Sequence, residues 1–171
     1  WTNMEGELDV YFPFQMGNWL RQGTLALNFW TSNSPTWNKK PDGKVTNRPP
    51  SYAGSTLGGI WRMRGFPSSR FNDKAAIYYA AELRLIPHWN PFEHWDWIQK
   101  YVGIRWLQFV PFAEIGRVAP SWDIEKLHSD MKWCLGLGVR AWAKGIVARI
   151  DAAASEEGFK VQMMIAQPFQ F

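Results

Sequence analysis

At 171 residues the chain can form one domain with a sizeable core. A single cysteine, Cys134, excludes an internal disulfide framework and a thiolate zinc cluster, and no run of about 18 apolar residues exists to cross a membrane as a helix. The net charge is +4, but the cations are scattered, with Lys39-Lys40 the one adjacent pair, which is the pattern of solvated charge and not of a nucleic-acid surface. Tryptophan is the anomaly. There are 12, which is high for a soluble domain and in keeping with a bilayer interface. With mean hydropathy at −0.32, the aromatic excess fits a soluble β-protein or a membrane β-barrel.

Residues 4–14 alternate with period 2, which predicts a strand. Met4, Leu8, Val10 and Phe12 share one face, and Glu5, Glu7 and Asp9 the other. A turn at Met16-Gly17-Asn18 leads to a second strand over 21–32. Residues 33–73 are rich in Pro, Gly, Ser, Asn and Lys and show no period, and a connection of this length is usually functional or disordered. Its second half, 58–73, sets Arg62, Arg64 and Arg70 among large apolar residues and four strand breakers, Gly58, Gly59, Gly65 and Pro67. A third strand is expected over 74–85, with Ile77, Tyr79 and Leu83 opposing Tyr78, Glu82 and Arg84.

A Trp-rich link over 87–100 precedes a fourth strand over 103–118, whose one face carries Gln108, Val110, Phe112, Glu114 and Gly116. In the next loop Ser121 is placed to cap one helical turn. Strands five (131–143) and six (from 146) alternate sharply, and Glu156-Glu157-Gly158 makes a hairpin turn into strand seven, which runs to Phe171.

These strands are about ten to thirteen residues long, enough to cross a bilayer at a tilt. Their polar faces carry small residues and opposite charges in pairs, Glu82 with Arg84 and Arg149 with Asp151. An apolar outside around a polar inside is the pattern of a transmembrane barrel, although alternation alone does not say which face is inside. Seven strands is an odd number for a single-chain barrel, and the start at Trp1 without Met leads us to expect part of a larger one.

The order Gly58-Gly59, Arg64-Gly65-Phe66, Arg70-Phe71, Asp73 and Glu82-Leu83-Arg84 resembles the bacterial surface antigen family, the outer-membrane assembly and secretion barrels such as BamA, TamA and the two-partner secretion transporters. Phe112-Ala113-Glu114-Ile115-Gly116 is similar to that family's Phe-x-Asp-x-Gly strand motif, with Glu in place of Asp. The resemblance covers nearly the whole chain. It implies an all-β transmembrane antiparallel barrel of about 16 strands, of which this chain supplies the last seven. The loop 33–73 would re-enter the lumen, with Arg64 at its tip paired to Glu114, and Glu82, Arg84, Phe112 and Gly116 on the lumenal wall. Ile165, Phe169 and Phe171 would form a C-terminal β-signal. On the residues alone Arg64 reads equally as an ordinary loop cation; the ordered motif set favours the lumenal reading.

The implied function is insertion or translocation of other proteins at the bacterial outer membrane, without enzymatic activity or cofactor. The implied partners are the lipid bilayer, client outer-membrane or secreted proteins, and periplasmic POTRA domains or accessory lipoproteins. A barrel serving a patatin-like lipase, or a plain pore, is the alternative. His88, His94 and Asp96 fit no zinc spacing, and Trp89, Trp95 and Trp97 beside them suggest a membrane-interface belt, on the periplasmic side if the long loop is extracellular. Ser121, Asp123 and His128 read as turn chemistry and not as a catalytic set, and Cys134 as inert.

Overall fold

The computed structural model describes residues 1–39, 42–50 and 52–166. In chain order its strands are β1 (Met4–Phe14), β2 (Leu20–Asn33), the two-residue strands β3 (Asn38–Lys39), β4 (Val45–Thr46), β5 (Thr56–Leu57) and β6 (Phe71–Asn72), then β7 (Ala75–Pro87), β8 (Ile104–Ala119), β9 (Lys132–Ala143), β10 (Ile146–Ser155) and β11 (Gly158–Ala166). Two short helices, α1 (Asp96–Tyr101) and α2 (Ile124–His128), lie in connections. The seven long strands make one antiparallel meander in the order β1-β2-β7-β8-β9-β10-β11. The fold is therefore all-β and the sheet is open: β1 and β11 are its two edges and do not pair with each other among the described residues.

The register puts each alternating face on a common side. On one side lie Glu7, Asn28, Ala80, Glu114, Cys134 and Ser155, and on the other Leu8, Leu27, Ala81, Ala113, Leu135 and Ala154. The first side receives the segment 52–74. The main core forms there, between loop and sheet, from Trp30, Leu57, Met63, Phe66, Ala76, Tyr78 and Cys134. The second side stays largely uncovered, and Leu8, Trp133, Leu135, Leu137 and Ile150 are each about half exposed. At the end of the sheet that bears the loop, Leu127 of α2 closes a small cluster with Ala75, Ile77 and Ala119 on this second side.

Pro111 sits inside the central strand β8, where a missing N–H would normally break a ladder. The β7–β8 pairing lapses there, between Glu82↔Phe112 and Leu85↔Phe109, and resumes in the same register. Gly136 provides a notch for Phe112, since a Cβ on it would lie 2.2 Å from Phe112 Cζ.

Three expectations are corrected. The Trp-rich link contains α1, whose apolar Ile98 is buried while Gln99 and Asn90 donate to the Ile104 carbonyl. The turn at 124–128 is capped by Asp123 and not by Ser121: Asp123 Oδ1 accepts from the backbone N–H of Glu125 and Lys126 at 3.0 and 3.4 Å, from a side chain short enough to fold back on its own turn. The loop 33–73 is not without structure, because β3 pairs with β4 and β5 with β6. Phe169 and Phe171, with the end of the expected seventh strand, lie outside the described residues.

A methyl at the Gly136 notch has to displace the Phe112 ring, and overpacking of this kind costs ~1–3 kcal/mol. Gly136→Ala is expected to lower the urea midpoint of the refolded chain, and Gly136→Ala with Phe112→Leu to recover part of it. Midpoints measured by tryptophan fluorescence check both.

Candidate functional site

The loop reaches the sheet through a strained turn. Met63 holds φ at 57°, a left-handed conformation that costs a non-glycine residue ~1–2 kcal/mol, and its carbonyl accepts from the Phe66 N–H at 3.0 Å. The turn drives Arg64 into the wall, where its side chain is 2% exposed. A buried guanidinium is costly unless its charge is balanced and its donors are occupied. Nε donates to Glu114 Oε1 at 2.7 Å, Nη2 faces Glu82 Oε1 at 2.9 Å and Nη1 faces Asp151 Oδ2 at 3.2 Å. The face of the guanidinium covers the Phe112 ring, 3.5 Å from its centroid. Burial alone would lower the Arg64 pKa; Glu114 first, then Glu82 and Asp151, more than offset this and raise it.

Glu114 is the hub. Its Oε2 accepts from the Arg64 backbone N–H at 2.6 Å and from the Cys134 thiol at 3.0 Å, and its Oε1 also accepts from the Tyr78 hydroxyl at 2.8 Å. The side chain is fully buried. Glu82 is shared more widely, by Arg64, Arg84 and Arg140. Arg149 donates to Asp151 Oδ2 at 2.5 Å, so two arginines share that carboxylate as well.

The backbone of the motif is held from the other side. The carbonyls of Arg64, Gly65 and Phe66 accept in turn from Gln162 at 2.8 Å, Ser155 at 3.0 Å and Lys160 at 3.3 Å. All three donors come from the last hairpin, β10–β11. Gly65 permits this approach, because a Cβ there would lie 2.7 Å from the Cys134 Cβ. Gly58 has φ at 108° and packs against the Pro67 carbonyl, so the loop closes on itself at a position where only glycine is unstrained. A polar cavity of about 370 Å³ remains beside the loop, lined by Asp9, Asn28, Arg62, Glu82 and Arg84.

Of the residues expected at the site, the structure brings Arg64, Gly65, Phe66, Glu82, Phe112 and Glu114 together. Gly116 lies in the same wall, where a Cβ would meet Leu57 at 3.0 Å. Gly59 opens the turn below, beside Ser68. Arg84 joins through Glu82 and covers Tyr11. Arg70 stands apart, on the surface, paired with Glu157 at 2.8 Å. Asp73 also stands apart, its carboxylate accepting from the Lys74 N–H. Ile165 points outward from β11 and is exposed.

The sequence places none of Tyr78, Arg140 and Gln162 at the site, and Asp151 only as the strand neighbour of Arg149. Each stood on a polar face, but only the register aligns Val110, Gly138, Asp151 and Gln162 in one row below Arg64. Cys134, read as inert, is a hydrogen-bonded part of the pocket.

Breaking a buried ion pair from one side costs ~3–5 kcal/mol, whereas an exposed pair contributes ~0–1 kcal/mol. Arg64→Ala and Glu114→Gln are each expected to make the segment 52–74 sensitive to protease. Arg70→Ala leaves it resistant. Limited proteolysis with mass mapping checks the order, and equal sensitivity of all three would show that Arg64 does not pin the loop.

No family model matches the chain, and no curated protein or solved structure matches it.

Proposed function

We propose that the chain is a C-terminal part of an outer-membrane β-barrel of the bacterial surface antigen type, a barrel of about 16 strands that inserts or translocates other proteins and is not an enzyme. One observation carries this reading: a buried arginine clamp and a polar network lie on the loop side of the sheet, while the opposite side is apolar and exposed. A soluble sheet hides its apolar face and wets its polar one. This sheet does the reverse, as a wall between lipid and a polar lumen does. The presence of Arg64-Gly65-Phe66 against Phe112 and Glu114, the residues named by the resemblance, supports the more specific family reading.

In this reading the loop 33–73 is a lid inside the lumen, and the outer face of β7 to β11 meets the bilayer. The edge strand β11 offers unpaired backbone groups to a client strand by β-augmentation. Ile165 of that strand, with Phe169 and Phe171 outside the described residues, belongs to the C-terminal signal. Periplasmic POTRA domains or accessory lipoproteins of the full-length protein deliver clients to the seam.

Spin labels at Leu137 and Ile150, in protein reconstituted into phospholipid vesicles, are expected to collide with oxygen and to be shielded from an aqueous nickel chelate; a label at Gln108 is expected to show the reverse. Equal access at all three positions would overturn the wall. For the client role, cysteines at Val161 and Met163 in the full-length protein are expected to cross-link to nascent outer-membrane proteins in cells. A complete lack of such cross-links would leave a barrel without this activity.

A further inference from the structure

At the end bearing the loop, Arg70, Arg117, Lys126 and Lys132 each face a carboxylate, Glu157, Asp130, Asp123 and Glu156, while Lys44, Arg48 and Lys74 of the loop make no ion pair among the described residues. At the opposite end lie the turn 15–19, the link carrying α1 and the turn at Lys144-Gly145. Arg21, Lys100, Arg105 and Lys144 sit there, all exposed, and none makes an ion pair among the described residues. Glu93 and Asp96 are at the same end and are likewise unpaired, so the cations outnumber the carboxylates there.

The cations are set among amphipathic aromatics. Trp19, Trp89, Trp95, Trp97 and Tyr101 are each more than half exposed. Trp95 and Trp97 stack with centroids 6.5 Å apart, Lys100 lies over the Tyr101 ring, and Arg105 over Trp142. Lys144 Nζ donates to the Tyr101 carbonyl at 2.6 Å, which ties the β9–β10 turn to the end of α1 and leaves its remaining donors outward. The link is held in place by Asn90 and Gln99, both donating to Ile104. Exposed aromatics on an ordered segment, beside an apolar wall and with uncompensated positive charge, match the boundary of a bilayer whose headgroups carry negative charge.

We propose that this rim, built from Lys100, Arg105 and Lys144 with the aromatics of 89–101, is a binding surface for anionic phospholipid in the leaflet opposite the loop. The proposal rests on the reading of the sheet as a membrane wall. The aromatics set the depth of the rim at the headgroups, and the three cations select a phosphodiester of net negative charge over a zwitterion. At an anionic surface each Lys or Arg contributes about a fivefold change in partition.

The test uses the 171-residue chain reconstituted in mixed vesicles of phosphatidylcholine and phosphatidylglycerol, with brominated acyl chains on one lipid or the other. Tryptophan quenching is expected to be stronger when the bromine is on phosphatidylglycerol. The triple variant Lys100→Gln, Arg105→Gln, Lys144→Gln keeps a donor at each position and is expected to lose that preference. The pair Arg117→Gln, Lys126→Gln at the other end is expected to retain it, as is the charge-conserving variant Lys100→Arg, Arg105→Lys, Lys144→Arg. Equal quenching by the two lipids in the parent chain, or a preference that survives the triple variant, overturns the proposal and leaves the wall intact. An absence of quenching by either lipid overturns the wall itself, and the rim with it.

Discussion

Arg64 has to be satisfied away from water, and the remainder of the inner face is arranged around that need. Its three carboxylates come from three strands, Glu82 of β7, Glu114 of β8 and Asp151 of β10. They converge only if the register is held across β7 to β10. The cost of an unpaired buried charge therefore penalises strand slippage as well as loop release. Glu114 carries the tightest part of this arrangement, because it takes the Arg64 backbone as well as its side chain. A lysine could supply the charge but not the fork of donors that reaches Glu82, Glu114 and Asp151 together.

The hydrophobic effect is used on both faces, to different ends. On the inner face, Met63, Phe66 and Leu57 of the loop close over Trp30 and Tyr78 and make the dry layer that surrounds the charged cluster. On the outer face, among the described residues, the apolar side chains in the middle of the sheet meet no layer of protein; α2 covers one end, and Trp89 lies beside Phe109 at the other. A sheet covered on its polar side and mostly bare on its apolar side suits the proposed place between lipid and a polar lumen.

Period 2 was readable along the strands, so the two faces could be assigned from residues such as Glu82, Phe112, Glu114 and Leu135. The i, i+2 charge pairs Glu82–Arg84 and Arg149–Asp151 were also legible, being neighbours on one strand face. What alternation does not contain is register. Nothing local places Asp151, some ninety residues on in the chain, beside Arg64, and nothing local tells that Glu82 is shared by three arginines. The helix α1 was hidden for another reason: at six residues it is too short to show a period, and Trp95 and Trp97 dominate its surroundings. Ser121 was a plausible cap by type, but Asp123 stands at the position from which a carboxylate reaches Glu125 and Lys126. Asp73, close to the motif in sequence, lies in the link between β6 and β7 and accepts from the Lys74 N–H at 2.8 Å instead.

A seven-stranded open sheet is not an obvious frame for a buried loop, since both of its edges lack a neighbour among the described residues. The loop compensates by touching both. Arg62 lies over the Trp30 ring at 4.1 Å and pairs with Glu7 of β1 at 3.2 Å. Gln162 and Lys160 of β11 hold the carbonyls of Arg64 and Phe66. Between these two attachments the arginine cluster fixes the middle of the sheet. The loop thus spans the inner face as a brace, and its hold on β11 is reciprocal by thermodynamic linkage. Any free energy with which β11 stabilises the seated loop is the same free energy with which the seated loop stabilises β11 at the edge. A strand drawn away from the edge weakens the brace, and a brace that is released loosens the edge.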